Sequence, residues 1–275
     1  MEMASKAQSG LSLEPDLFWV PAEHDRETLR AALIDGGVAG VNSHDRPNVV
    51  WKIRRLCEGD EVSQFGLSGV SGLPFGKVLS LVSDASGIDA DPDLRHGMVI
   101  VDPELVLRGC EAIGERLAAA AERGGRVLLA TGHPTGLPLL YQEVGRLLTQ
   151  RGARLIRPLD GFRWADADGR RRQIRYFAGV AMLTDRGSAL HTHSPEAMEL
   201  MLAEETPDLV FADHGLAGAA IEAGVDTVAI ADVNDPALVV ARDQGRSGPI
   251  VVMDDNVQPE SYWPCFQVIA SRFPA

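Results

Sequence analysis

From Asp102 onward the chain alternates short apolar, β-branched runs with amphipathic helical stretches, and few architectures accommodate that alternation. The runs at 126–130, 209–212, 227–231 and 250–253 are almost continuously apolar. A strand needs such a run when helices cover both of its faces, as in a parallel sheet. Parallel neighbours must also be joined by crossovers, and helical patterns at 137–150, 215–223 and 236–243 lie where crossovers belong. Asp102-Pro103 supplies a cap and a first-turn proline for a helix through Leu105, Val106, Cys110, Ile113 and Leu117 to Gly124-Gly125. A further strand is expected at 153–157 and a last helix near 260–271. The expected fold is α/β, a three-layer Rossmann-like, mainly parallel sheet.

Two departures from the alternation are expected. Phe162-Arg-Trp-Ala-Asp and Arg172-Gln-Ile-Arg-Tyr-Phe flank an Ala-Asp-Gly-Arg turn, which predicts an inserted β-hairpin, with Ala181-Met-Leu-Thr as a further strand. Ser194-Pro195-Glu196 then opens a helix through Met201. Residues 1–100 read as a helical and irregular cap packed on an α/β domain of 101–275, the whole forming one compact unit. Helices are expected at 25–34 and 46–58, a glycine-punctuated loop at 66–76, and a loose tail at 1–10.

Composition narrows the function classes. The formal net charge of −13 argues against nucleic acid as a main partner, because phosphate backbones require basic surfaces. A small anionic metabolite held in a local pocket remains compatible, as does a homo-oligomer. Cys57, Cys110 and Cys265 are too scattered for a metal-type spacing. No apolar stretch has the length of a membrane span and no leader pattern is visible, so a cytoplasmic protein without membrane contact is expected.

The strand runs end on residues that can do chemistry, and right-handed crossovers put those ends along one edge of the sheet. In Thr131-Gly-His-Pro-Thr-Gly136, Thr131, Gly132, Thr135 and Gly136 suit an anion cradle, and His133 suits proton transfer. A plain tight turn is the alternative. Asp213-His214 pairs a carboxylate with an imidazole, suited to holding a divalent cation or orienting water. In Asp232-Val-Asn-Asp235, Asp235 reads as the cap of a helix beginning at Pro236, leaving Asp232 and Asn234 as site candidates. Asp254-Asp255 suits a hard cation or a turn equally. His191-Thr-His193 puts two imidazoles on one face of an extended segment. Farther upstream, Arg46 and Asn48 are candidate substrate contacts, Arg46 as a two-pronged clamp on an anion; the alternative is Asp45 as a cap and Arg46 as a solvated side chain. His24 and His96 lack supporting context. P-loop, G-x-S-x-G, H-E-x-x-H and C-x-x-C signatures are absent.

Arg46-x-Asn48 followed by Glu58-Gly-Asp-x-x-x-x-Phe-Gly-Leu67 resembles an actinobacterial phosphatase family. So do the segments Ala-Thr-Gly-His-Pro-Thr-Gly and Ala-Asp-His-Gly-Leu-Ala-Gly-Ala-Ala-Ile, and the similarity extends over most of the chain. The resemblance implies phosphoester hydrolysis. The expectation is therefore a hydrolase, a phosphatase acting on a small phosphorylated metabolite with a divalent cation such as Mg²⁺. His133, Asp213, His214 and His193 would be catalytic. Asp213, Asp232, Asp254 and Asp255 would hold the cation, and His191 or His193 would protonate the leaving oxygen. A noncatalytic nucleotide- or phosphometabolite-binding protein is the competing reading. A lyase, cyclase or isomerase using the same crevice is the third.

Overall fold

A computed structural model describes residues 18–274; the expected tail at 1–10 lies outside the described residues. The chain begins with α1 (Arg26–Asp35), β1 (Gly40–Asp45), α2 (Arg46–Cys57), α3 (Glu61–Gln64), α4 (Phe75–Ser86) and β2 (Met98–Val101). Then come α5 (Pro103–Glu122), β3 (Arg126–Ala130), α6 (Pro138–Gln150), β4 (Arg154–Leu155), β5 (Arg163–Ala165), β6 (Arg171–Phe177), β7 (Val180–Asp185) and β8 (Ser188–Ala189). The last third holds α7 (Glu196–Glu204), β9 (Leu209–Asp213), α8 (His214–Glu222), β10 (Thr227–Ala231), α9 (Pro236–Asp243), β11 (Ile250–Val252), a 3₁₀ turn (Pro259–Tyr262) and α10 (Trp263–Ala270).

The main sheet runs β11-β10-β9-β3-β7-β6-β5. β11, β10, β9, β3 and β7 are mutually parallel, and β4 pairs parallel with the start of β3. The hairpin β5–β6 extends the sheet antiparallel from β7, as its turn sequence implies. Every residue of β9, β10 and β11 is buried, which accounts for their unbroken apolar runs. Helices α5, α6 and α10 pack together on one face, with α1 against them. On the other face α7, α8 and α9 pack in a row, and α2 and α4 lie over α9. This is the expected three-layer Rossmann-like arrangement.

The capping chemistry agrees with the sequence. Asp25, Asp45 and Asp102 each accept a backbone N–H of the first helical turn. The antiparallel pair β1–β2 differs from the irregular stretch expected there. Its strands alternate buried and exposed residues, with Val41, Met98 and Ile100 facing outward, and a register shift interrupts them between Val41 and Asp45. Strands this short and interrupted leave no apolar run to read. The pair matters because it carries Asn42 and His44 to the carboxyl edge of the main sheet. No described helix is long and apolar enough to cross a membrane.

Candidate active site

The site is organised by the turn from β9 into α8. His214 sits there with φ 47°, a left-handed conformation that costs a non-glycine residue roughly 1–3 kcal/mol and recurs at functional sites. The turn is tight because its neighbours are small. A Cβ on Gly215 would collide with the His193 carbonyl, and one on Gly218 with the Phe65 carbonyl. The run Asp-His-Gly-Leu-Ala-Gly is thus a packing requirement that aims one imidazole. Asp213 Oδ1 lies 2.8 Å from His214 Nδ1 and accepts the Gly132 N–H at 2.7 Å. The other ring nitrogen, Nε2, then faces Asp235 Oδ2 at 3.5 Å and Asp255 Oδ2 at 3.4 Å.

Beside this pair lies a second acidic group from β10 and β11. Asp232 Oδ1 accepts the Asn42 side-chain amide at 3.0 Å and the Val233 N–H at 2.5 Å. That leaves Oδ2 with no hydrogen-bond partner, 3.5 Å from His44 Nε2. Asp254 accepts the backbone N–H groups of Ser43 and Asn256. Asp255 Oδ2 is likewise buried and unbonded, and its Oδ1 lies 3.7 Å from His133 Nε2. Asp232, Asp254 and Asp255 bring ligand oxygens within 4.8 Å of one another, as do His214, Asp235 and Asp255 with theirs. Buried carboxylate oxygens without donors are costly unless a proton or a cation meets them. An all-oxygen set of three carboxylates has the chemistry of a hard divalent cation.

The electrostatics say the same. Burial pushes Asp255 up to about 8 despite the opposing pull of His214, with Asp235, Asp213 and Asp254 adding to the rise. Burial together with Asp255, Asp254 and Asp235 lifts Asp232 well above the usual carboxylate range. Burial alone would lower His214, but Asp235, Asp213 and Asp255 outweigh it and hold the imidazole at about 10. At His133 and His193 the pull of the carboxylates is outweighed; burial, and then the charge of His214, lower each to about 4. His191 and His44 are lowered as well, mainly by burial.

Above these groups opens a pocket of about 470 Å³, lined among others by His44, His133, His191, His193 and Asp255, with Asn48, Asn234 and Thr135. Asn234 donates to Asn48 Oδ1 at 3.0 Å, tying the β10 loop to α2. Lys52, one helical turn beyond Asn48, is the only Lys or Arg among the lining residues. The His193 and His214 rings are nearly parallel, 13° apart with centroids at 4.8 Å. Imidazole lone pairs lie in the ring plane, so two rings stacked face to face cannot both aim at one ion. The geometry therefore argues against a shared His191/His193/His214 ion and leaves His191 and His193 on the pocket wall.

Several sequence expectations are corrected. Arg46 does not reach the pocket: its buried guanidinium donates to the carbonyls of Asp89 (2.6 Å), Asp91 (2.6 Å) and Leu94 (3.2 Å), clamping the loop before β2. Replacing Arg46 with Ala strands three carbonyls, so a loss of roughly 3 kcal/mol is expected in denaturant unfolding. A change under about 0.5 kcal/mol would contradict the clamp. The loop 131–136 is not an open anion cradle. The Gly132 N–H is held by Asp213 and the His133 N–H by Thr131 Oγ1, and Thr131 is fully buried. Cβ atoms on Gly132 and Gly136 would strike the Thr192 and Asp255 carbonyls, so these glycines serve loop-on-loop packing. Asp213 stands behind His214 and orients it, outside both carboxylate-containing donor sets.

Asp235, read as a cap, makes no side-chain cap bond and instead faces the site. Asn42 and His44 belong to the polar run Asn42-Ser-His-Asp-Arg-Pro-Asn48 without any local pattern that singles them out, and Lys52 carried no signal. A helical i, i+4 spacing from Asn48 could have flagged Lys52 once Asn48 was a candidate.

A family model described as Phosphatase matches residues 24–274. Phosphatase SCO2771 of Streptomyces coelicolor (strain ATCC BAA-471 / A3(2) / M145) is 34% identical over 251 residues, covering 89% of this chain and 94% of the relative.

Proposed function

The chain belongs to this Phosphatase family, and we propose that it hydrolyses phosphoric monoesters of a small metabolite with the help of a divalent cation, Mg²⁺ being the ion that best suits the oxygen donors. The observation that carries this reading is the pair of buried, unbonded oxygens, Asp232 Oδ2 and Asp255 Oδ2, beneath a pocket of metabolite size. Asp232, Asp254 and Asp255 would hold the cation. Bound there, it would supply Lewis-acid polarisation of the phosphoryl group and a more acidic water.

The chain's own residues account for the remaining tasks. Lys52 is the positive group at the pocket wall and attracts the anionic end of the substrate. Asn48, Asn234 and Thr135 offer hydrogen bonds that fix its orientation. Hydrolysis breaks the bond between phosphorus and the ester oxygen, and the proton of the attacking water must be accepted. His193 and His133, held neutral at physiological pH by burial, suit that acceptance. Neutral imidazoles carry no acidic proton for the leaving oxygen, the role assigned to His191 or His193 from the sequence, so that oxygen takes its proton from solvent water as the bond breaks.

The test is phosphate release by the full-length protein from sugar, nucleotide and amino-alcohol phosphates, with Mg²⁺ or Mn²⁺ and after chelation. Turnover that chelation abolishes and the cation restores is expected. No release from any ester with any cation would overturn the reading in favour of a binding protein. Asp213→Asn tests the support of His214: a 10- to 100-fold loss of activity or cation affinity is expected, about the usual cost of removing an outer partner of a ligand. Unchanged affinity and activity would remove Asp213 from the site.

A further inference from the structure

We infer that the site takes two divalent cations that share Asp255, the second held by His214, Asp235 and Asp255. This rests on the proposed cation at Asp232, Asp254 and Asp255 and extends it. The two donor sets have only Asp255 in common. Asp255 is 3% exposed, its Oδ2 has no hydrogen-bond partner, and that oxygen lies 3.4 Å from His214 Nε2. A bridging carboxylate needs just such a placement, one residue reaching both groups.

Charge makes the same point. Five carboxylates, those of Asp213, Asp232, Asp235, Asp254 and Asp255, are each at most 3% exposed around this site. The pocket lining offers a single Lys or Arg, Lys52, against them. Counted with these carboxylates ionised and His214 neutral, as ligation requires, the excess is four negative charges, the charge of two divalent ions.

The two positions differ in chemistry. The first is all oxygen and suits Mg²⁺ or Mn²⁺. The second includes an imidazole nitrogen and suits Mn²⁺, Fe²⁺ or Zn²⁺. His214 is prepared for this role by Asp213, which fixes the ring through Nδ1 and leaves Nε2 toward the carboxylates, the usual outer support of a ligating histidine. The parallel setting of His193 keeps it out of the second position, so Asp235 completes the set.

Chelated full-length protein titrated with Mn²⁺ tests the inference by equilibrium dialysis and low-temperature electron paramagnetic resonance. Two Mn²⁺ per chain and a spin-coupled signal are expected. Asp235→Asn should bind one and show the spectrum of an isolated ion, with circular dichroism confirming the fold. One Mn²⁺ per chain at saturation in the wild type would overturn the inference, as would two uncoupled ions; neither result depends on a variant folding. Phosphate release measured on the same samples separates the two readings. Turnover with one bound ion removes the second position and keeps the phosphatase, whereas two coupled ions without turnover do the reverse.

Discussion

Asp255→Asn is expected to lower kcat/KM for phosphate-ester hydrolysis by on the order of 10³-fold, while the ion-free protein becomes no less stable. Removing one transition-state charge-stabilising group costs about 10²–10³-fold, and Asp255 supplies a ligand oxygen to both donor sets. The stability half of the result follows from burial. Asp255 is lifted to about 8 because its charge is disfavoured where it sits. An amide of the same shape carries no charge to bury, so the ion-free variant should melt at or above the wild-type temperature near pH 8. Cation addition should raise the wild-type melting temperature and leave the variant almost unmoved. A variant within threefold of wild-type activity would remove Asp255 from the mechanism. A strongly destabilised one would show that it is a structural residue.

The stability of the ion-free protein is expected to fall as pH rises from 6.5 to 8. Asp255 and His214 have folded values of about 8 and about 10, above their ordinary values of 3.8 and 6.5. Between pH 6.5 and 8 the folded chain therefore holds protons on these two groups, and on the raised Asp232, that the unfolded chain has released, and stability decreases as pH rises. Each withheld proton contributes about 1.4 kcal/mol per pH unit at most, so the loss by pH 8 from Asp255 and His214 is up to about 4 kcal/mol. His133 and His193 act in the opposite direction. Their folded values of about 4 lie below 6.5, so on these two groups the unfolded chain binds more protons between pH 4 and 6.5, which offsets the stabilisation that Asp255 and Asp232 gain on acidification over that range.

Divalent cations take the place of the protons on Asp255, Asp232 and His214, so their binding should release protons and flatten the alkaline fall. Melting temperatures measured from pH 5 to 9 with chelator and with Mn²⁺ check this. Parallel profiles with and without the ion would contradict the assignment of these groups as its ligands.

The residues legible in the sequence were those whose local context carries the information. Asp213-His214, Asp232 and Asp254-Asp255 follow buried strands, and the end of a buried parallel strand points to the carboxyl edge whatever the rest of the chain does. The roles within that edge were not legible. Asp235 precedes a proline at a helix start, where an aspartate ordinarily caps. Only its 3.5 Å approach to His214 Nε2 and the absence of a cap bond show otherwise. Arg46 carries the same charge whether it clamps a ligand or a loop, and the three carbonyls that claim it lie 43 to 48 residues away.

Periodicity, capping and run length determined the three-layer α/β fold and the edge on which chemistry is possible, because they act between near neighbours in the chain. The tertiary structure alone decided which groups meet there. Asn42 reaches Asp232 across 190 residues, and the Gly132 amide reaches Asp213 across 81. Burial then sets Asp255 against the neighbouring carboxylates and holds His133 and His193 neutral. Such distances and dielectric effects belong to the packed molecule, since they depend on what surrounds a charge and not on what precedes it in sequence.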